Sequence, residues 1–240
     1  IWIEKYHAGA LGAEWEFNWL ERTLIAGRAL WFYIGKLLWP RDLSFIYLRW
    51  EINAGDWRQW LFPVSFLTLL SALWFWQKRL GKGPITALCI FSGTLLPALG
   101  FFNTYPMRFS FVADHFQYLA SIGAITLFAV LLKSGRSAVD RTLSMIVLIL
   151  LGSLTWTQGH TYKNLETLWR NTLDRNPSAW IAHNNLAILL TENGKPEEAK
   201  THYLAAVRLK PDYDHALNNL GLILIDEDRL GEALFQFEKM

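Results

Sequence analysis

Four long stretches without a charged residue divide the first two thirds of the chain. They contain 19, 25, 18 and 21 residues and cover 59–77, 83–107, 115–132 and 142–162. A helix of roughly 20 apolar residues can cross the hydrocarbon core of a bilayer, because it satisfies its own backbone hydrogen bonds there. The pattern therefore predicts four transmembrane helices, at about 60–77, 85–102, 115–132 and 142–158.

A weaker helical segment precedes these four, at about 22–39. It carries three cations, Arg22, Arg28 and Lys36. Charges of this kind make a poor lipid-facing surface, so the segment either crosses the membrane or lies along its interface. We expect a pre-membrane or interfacial segment at 1–22 and a transmembrane domain at 23–158.

Two short basic loops indicate the orientation. The loop after the first strong span contains Lys78, Arg79 and Lys82, and the loop after the third contains Lys133, Arg136 and Arg141. Loops rich in Lys and Arg stay on the cytoplasmic side of a membrane. The chain that follows the last span, residues 159–240, is therefore predicted to be periplasmic or lumenal, whether or not the weak segment crosses.

The last eighty residues are an internal repeat. Similar residues recur 34 positions apart, in the pairs Leu186/Leu220, Ala199/Ala233, Tyr203/Phe237 and Pro177/Pro211. A period of 34 is typical of tetratricopeptide repeats, which are pairs of antiparallel helices stacked into an α-solenoid. We predict a half repeat, one complete repeat at about Trp180–Tyr213, and a truncated repeat that begins at Asp214. Such solenoids bind proteins or peptides.

The fold class that follows is all-α, a polytopic transmembrane helix bundle followed by a tetratricopeptide-repeat α-solenoid. Composition agrees, because 52% of the residues are hydrophobic, only 18% are charged and 13 are Trp. A net charge of +2 is small for a nucleic-acid-binding protein, so nucleic acid is not expected as a partner. Cys89 lies in an apolar run and is expected to be a small buried hydrophobe.

The sequence contains no motif of soluble catalysis. It has no Gly-rich phosphate loop, no metal-ligand spacing and no Gly-x-Ser-x-Gly element, so neither a metal nor a cofactor is expected. Polar residues enter the third predicted span instead. Ionisable groups there are expensive and are functional candidates. They are Asp114, His115, Gln117 and Tyr118.

Helical spacing relates these polar residues to each other. Asp114 and Tyr118, four residues apart, would share a helix face, with His115 about 100° away. Two interpretations stay open, a site between helices and a polar cap at headgroup level. Arg28 and Lys36, about 12 Å apart along one helix, suit a lipid phosphate by charge. The alternative is that both side chains only anchor the helix at the interface.

The order of these features resembles a known family. Arg28–Tyr33, Lys36–Pro40 and Leu43–Tyr47 are followed by Asp114–Ser121, by a last span and by the repeats. The chain resembles the C-terminal half of bacterial relatives of the transmembrane and tetratricopeptide O-mannosyltransferases, in the GT-C class of polytopic glycosyltransferases. The resemblance implies transfer of a sugar from a polyprenyl-phosphate carrier to an acceptor on the outer side, with membrane lipid, lipid-linked sugar and an acceptor protein as partners.

The family's essential acidic residue lies upstream of the positions present here, so no catalytic base is expected in this chain. We expect donor-phosphate contacts from Arg28, Arg108 and His115, with Gln117, Tyr118 and Asp114 orienting the substrate. His115-Phe116-Gln117-Tyr118 stands where relatives often have Arg-Tyr-x-Tyr. Asn185 and Asn219 are candidates for acceptor docking, because an amide can both donate to and accept from a peptide backbone. A local or inter-helix hydrogen bond is their alternative role.

The sequence is also compatible with two other functions. An O-antigen ligase or polymerase type membrane protein can also end in tetratricopeptide repeats, and a non-enzymatic membrane scaffold would use only the repeats. Residues before Ile1 would discriminate between them, because an acidic pair in an early outer loop favours the transferase.

Overall fold

The computed structural model describes residues 15–134 and 138–240, which contain ten α-helices and no strand. The predicted all-α class is confirmed. The chain divides into two units. The first unit comprises the described residues up to Leu43 together with Arg49–Trp156, and the repeat unit comprises Ser44–Leu48 and Thr157–Met240.

Helix α1, Trp19–Leu38, is the weak segment of the sequence. Asn18 caps its N-terminus, where the Asn18 side chain accepts a hydrogen bond from the Glu21 amide and the Glu21 carboxylate accepts one from the Asn18 amide. This reciprocal arrangement satisfies two backbone donors that a helix start leaves open. One face of α1 is buried in the first unit, and it consists of Leu24, Ile25, Ala26, Gly27, Ala29, Leu30 and Tyr33.

The other helices of the first unit are more exposed than α1. They are α2 Trp57–Leu80, α3 Gly83–Leu95, α4 Ser121–Ser134 and α5 Ala138–Thr161. Short 3-10 helices cover Leu96–Ala98, Tyr105–Arg108 and Asp114–Gln117. Helices α1 and α2 approach closely at Gly27, where an added Cβ would lie 2.6 Å from the backbone nitrogen of Pro63. Only glycine fits there.

Two helices among the described residues are long and apolar enough to cross a membrane, α2 and the part of α5 at Asp140–Thr161. They correspond to the first and fourth predicted spans. The second and third predictions were wrong in extent, because α3 with its 3-10 turn ends at Ala98 and α4 begins only at Ser121. Gly100, at a φ of 91°, breaks the second stretch. Cys89, predicted to be buried, is exposed on α3.

Some predictions concern residues outside the described ranges. Residues 1–14 of the expected pre-membrane segment and Arg136 of the second basic loop belong to this group.

The repeat unit contains five shorter helices, α6 Leu165–Arg175, α7 Trp180–Glu192, α8 Pro196–Leu209, α9 Asp214–Asp226 and α10 Leu230–Phe237. Helices α7 and α9 begin 34 residues apart, as do α8 and α10. The predicted register is confirmed, with α6 as the second helix of a half repeat. Gly194, at a φ of 71°, forms the α7–α8 turn, and Asp228 takes the same left-handed conformation between α9 and α10.

The repeated residues form the core of this unit. Buried Leu, Ala and aromatic side chains from α7 to α10 pack together, among them Leu186, Leu190, Ala199, Tyr203, Leu220 and Ala233. Small residues let the paired helices approach, and the Phe237 ring covers Gly221 so closely that an added Cβ would lie 2.5 Å from it. Packing therefore accounts for the residues that define the period.

Residues Ser44–Leu48, which precede α2 in sequence, complete the repeat unit. Ile46 is buried, and its carbonyl accepts a hydrogen bond of 3.4 Å from the buried Asn176 amide. The Phe45 ring meets Trp169 of α6 edge to face, with centroids 5.4 Å apart. This loop segment thus covers part of the half repeat.

Candidate functional site

Two arginines and three aromatic rings form a cluster in the first unit, which we call the arginine–aromatic cluster: Arg28, Arg49, Trp50, Phe62 and Phe111. The Arg28 guanidinium lies 4.5 Å from the Trp50 ring centroid and 5.9 Å from that of Phe62. The Arg49 guanidinium lies 5.0 Å from the Phe111 centroid. The Trp50 and Phe111 centroids are 6.0 Å apart, so the rings connect the two cations.

Stacking on a ring leaves the edge of a guanidinium available. The attraction acts on the flat face of the group, whereas its five N–H donors point outward in the plane. Arg28 is half-buried on α1, and within the described residues no carboxylate pairs with it. A planar donor fork that is held from one face is suited to binding a phosphate oxygen pair.

Tyr33 fixes the chain beside this cluster. It is fully buried on α1, and its hydroxyl accepts a hydrogen bond of 3.1 Å from the Ala113 amide and contacts the Ala113 carbonyl at 3.4 Å. The Ser110 hydroxyl donates to the Val112 carbonyl at 2.8 Å. The segment that carries Phe111 and leads to Asp114 is thereby held in one conformation.

The four polar residues that follow lie on a tighter turn than predicted. Asp114–Gln117 is a 3-10 helix, and the Tyr118 amide bonds to the His115 carbonyl. Because a 3-10 helix has three residues per turn, positions four apart are separated by about 120°. The expectation that Asp114 and Tyr118 share an α-helical face was therefore wrong.

These residues differ in exposure. His115 and Tyr118 are exposed, Asp114 is half-buried, and Gln117 is buried with its Oε1 atom lacking a hydrogen-bond partner among the described residues. Arg108 ends the separate 3-10 helix Tyr105–Arg108 and is half-buried. Ring contacts join Arg28 to Arg49 through Trp50 and Phe111. The His115 ring packs edge to face on the neighbouring Phe116 ring, with centroids 4.6 Å apart.

Sequence reasoning missed three members of this arrangement. They are Arg49, Trp50 and Tyr33, none of which the sequence pattern assigns to the donor site. A tyrosine inside the apolar face of a helix is a usable signal, because a buried phenol nearly always has a hydrogen-bond partner. Arg22, by contrast, has a structural role, since it donates to the Gly100 carbonyl at 2.7 Å and to the Asn103 side chain at 2.8 Å.

The asparagines predicted to dock an acceptor lie on α7 and α9. Asn185 and Asn219 are both half-buried. Asn185 Oδ1 accepts a hydrogen bond of 3.2 Å from Asn184, and Asn219 Oδ1 one of 3.5 Å from Asn218. Burial raises the pKa of Tyr203, and hydrogen bonds with Thr191 and Asn219 oppose that rise. Part of each amide's capacity therefore goes to local contacts.

Ion pairs connect helices along the surface of the repeat unit. Arg170 of α6 binds Glu166 at 2.9 Å and Glu198 of α8 at 2.6 Å. The hydrogen bond from Arg170 holds the pKa of the Glu198 carboxyl below its ordinary value. Lys200 pairs with Glu227, which Arg229 also contacts at 3.0 Å. No group of three or more candidate metal ligands occurs among the described residues.

Comparisons with known proteins match the repeat unit and extend beyond it. The tetratricopeptide-repeat family model matches residues 166–213 and 186–240. The chain is 34% identical over 198 residues to protein O-mannosyl-transferase F38B6.6 of Caenorhabditis elegans, covering 77% of this chain and 27% of that protein. It is 29% identical over 171 residues to human protein O-mannosyl-transferase TMTC1, covering 68% of this chain and 19% of the relative.

The corresponding mouse protein is 30% identical over 123 residues, which cover 48% of this chain and 13% of the relative. The chain thus spans 13% to 27% of the length of these relatives. The alignment of 198 residues is much longer than the repeat unit, so the similarity extends into the first unit. Residues 166–240 therefore match the tetratricopeptide-repeat family, and the chain is similar, over up to 77% of its length, to protein O-mannosyl-transferases of animals.

Proposed function

We propose that this chain is part of an integral membrane glycosyltransferase of the GT-C class that moves a sugar from a polyprenyl-phosphate carrier to an acceptor outside the cytoplasm. The observation that carries the proposal is similarity to O-mannosyl-transferases over 77% of the chain, including residues of the first unit. A scaffold that used only tetratricopeptide repeats would need no such similarity outside them. We also propose an integral membrane location, which would be the inner membrane if the chain is bacterial.

The exposed surfaces of the first unit support a membrane location. Helix α2 has 24 residues, about 36 Å of helix, and buries only Pro63 and Phe66. Its outward side chains include Leu61, Val64, Leu67, Trp74, Phe75 and Trp76. An apolar surface of this extent is unfavourable in water and favourable against lipid tails.

The proposed topology does not depend on the two shorter helices. If α3 and α4 both cross the membrane, or if neither does, the loop with Lys78, Arg79 and Lys82 and the loop after α4 lie on the same side. By the positive-inside rule that side is cytoplasmic. Helix α5 then carries the chain outward, and the repeats are periplasmic or lumenal.

For the donor site, we retain Arg28, Arg108 and His115 as phosphate contacts and Gln117, Tyr118 and Asp114 as orienting residues, and we add Arg49. The stacked Arg28 guanidinium supports this assignment best, because its donors are held in place before a ligand arrives. Preorganised donors stabilise the charge that develops on a departing phosphate without further reorganisation. The carboxylate that activates the acceptor hydroxyl is proposed to come from residues upstream of this chain.

Transfer assays on the full-length protein test the donor site. We expect Arg28→Ala and His115→Ala each to lower transfer from a polyprenyl-phosphate sugar by about 100-fold, the usual effect of losing one preorganised donor. The matched control is Arg58→Ala, which removes an exposed arginine at the start of α2. Wild-type rates for both variants at limiting donor would refute the donor site. If the wild-type protein is inactive with every polyprenyl-phosphate sugar, the proposed transferase activity is refuted.

The repeats are proposed to dock the acceptor or a partner protein. Their period is explained by packing, so half-buried polar residues at equivalent positions are the candidates for contacts. Replacing both Asn185 and Asn219 by Ala is expected to raise KM for a protein acceptor several-fold and to leave a short glycosyl acceptor unaffected. An equal loss of activity with every acceptor would mean that both amides only stabilise the fold.

A further inference from the structure

Two histidines face each other inside the complete repeat, and the proposed function makes no use of them. His183 lies on α7 and His202 on α8, and their Nδ1 atoms are 2.9 Å apart. The ring centroids are 5.2 Å apart and the ring planes are inclined by 37°. Both side chains are half-buried. The pair thus forms a direct polar contact between the two helices of one repeat.

The surrounding backbone determines which nitrogen carries each proton. His183 Nε2 lies 3.1 Å from the Pro177 carbonyl, and a carbonyl oxygen can only accept, so this nitrogen is protonated. In a neutral ring the other nitrogen then holds a lone pair. His183 Nδ1 therefore accepts, and His202 Nδ1 must donate. His202 is left in the Nδ1–H tautomer.

Added protons act differently in the first and second steps. A first proton can enter at His202 Nε2, because His202 Nδ1–H still points at the lone pair of His183. A second proton would have to enter at His183 Nδ1, and two N–H groups would then face each other at 2.9 Å. The contact tolerates one added proton and is broken by two. The two steps belong to the pair rather than to either residue.

Neighbouring groups mostly oppose protonation. Burial is the main cause that lowers the pKa of both imidazoles, and the charges of Arg208 near His183 and of Arg170 near His202 act in the same direction. Glu198 near His202 acts against this trend, but its carboxylate is bound by Arg170. The Pro177 carbonyl also favours a proton on His183.

We infer that His183 and His202 form an acid-sensitive contact that holds α7 against α8 at neutral pH and releases it in acid. In the unfolded chain each histidine titrates near 6.5, so the unfolded chain binds more protons below that value. The stabilisation is therefore complete above about pH 6.5 and is lost as the pH falls through the lower values of the folded pair. This inference does not depend on the proposed function.

Ring nitrogen NMR on the full chain tests the tautomers. At neutral pH we expect one histidine with the 15N shifts of the Nδ1–H form, and its signal should disappear in His202→Asn. The matched control, His215→Asn, removes an exposed histidine of the next repeat and should leave that signal in place. If every histidine of the wild-type protein is in the Nε2–H form and titrates near 6.5, the inference is wrong.

Hydrogen exchange tests the acid release. Between about pH 7.5 and about pH 5, and after correction for intrinsic rates, exchange of α7 and α8 amides should rise several-fold, because loss of the histidine contact favours local opening of the helix pair. His202→Asn should show a smaller rise, because its amide cannot take a proton and can rotate to accept. An equal rise in this variant and in the wild-type protein would overturn the inference. If the variant misfolds, the NMR measurement of the histidine tautomers in the wild-type protein still tests the inference.

Discussion

The two units use the same secondary structure in opposite ways. In α2 the apolar side chains point outward, and Leu67 is 60% exposed, whereas in the repeat unit the equivalent residue type is internal, and Leu220 is 1% exposed. Both sequences, that of α2 and that of the repeat unit, form α-helices. The difference teaches that α2 turns its apolar side chains outward, whereas the repeat unit buries its repeated apolar residues in a core of its own.

Two arginines of each unit have different partners. Arg28 and Arg49 of the first unit lie over aromatic rings, while Arg170 and Arg229 of the repeat unit bind carboxylates. A carboxylate neutralises a guanidinium and occupies its donors. The Trp50 ring lies against the face of the Arg28 guanidinium, away from the donors in its plane. Arg28 therefore retains the capacity to bind an anion.

Labelling of introduced cysteines should give the largest contrast, because a membrane makes it all or none. With an impermeant thiol reagent on intact cells, Lys195→Cys in the α7–α8 turn should be modified, and Lys82→Cys before α3 only after permeabilisation. The existing Cys89 would first be replaced by Ser. The reverse pattern would overturn the proposed topology. Equal labelling of both positions in intact cells would show that no membrane separates them.

Leucine truncations compare the two units directly. Leu220→Ala should destabilise the repeat unit by about 2–5 kcal/mol, because it leaves a cavity in a packed core. Leu67→Ala, its matched counterpart on α2, should change stability by less than about 0.5 kcal/mol, since the side chain faces outward. Denaturant or thermal unfolding measures both. A large loss for Leu67→Ala would mean that α2 packs against protein at that face.

Glycine substitutions probe the tightest helix contact of each unit. Gly27→Ala should cost about 1–3 kcal/mol, because the new methyl group would meet the rigid backbone of Pro63. Gly221→Ala should cost less, since the obstacle is the Phe237 ring, which can turn aside. The equivalent position one repeat earlier, Ala187, already has a methyl group. Equal losses would contradict this ranking.

Acid should produce the smallest effect, through the surface ion pairs of the repeat unit. The Arg170 hydrogen bond lowers the pKa of Glu198 from its ordinary 4.5. The folded state thus binds this proton less readily than the unfolded state, so the contribution is present above about pH 4.5 and is lost as the pH falls through the folded value. The melting temperature of Glu198→Gln should drop less in acid than that of the wild-type protein. Glu192→Gln, on exposed α7 surface, serves as the control.

Much of the repeat unit could be predicted from the sequence, because its residues repeat at a fixed spacing and each repeat contacts only its neighbours. The helix starts at Trp180 and Asp214, and the turn at Gly194, follow from that period. The first unit was less predictable. Uncharged length locates apolar segments, but it does not reveal that Gly100 and the 3-10 turn at Asp114 interrupt them.

The sequence by itself determined the all-α class, the period of 34 and the apolar character of α2 and α5, because these properties are local or periodic. Only the tertiary structure decided that Arg28 and Arg49 meet across Trp50 and Phe111, and that Tyr33 holds Ala113. It also decided that His183 meets His202. These contacts join residues that are 19 to 80 positions apart in sequence, and no local pattern encodes which distant side chain will occupy the same space.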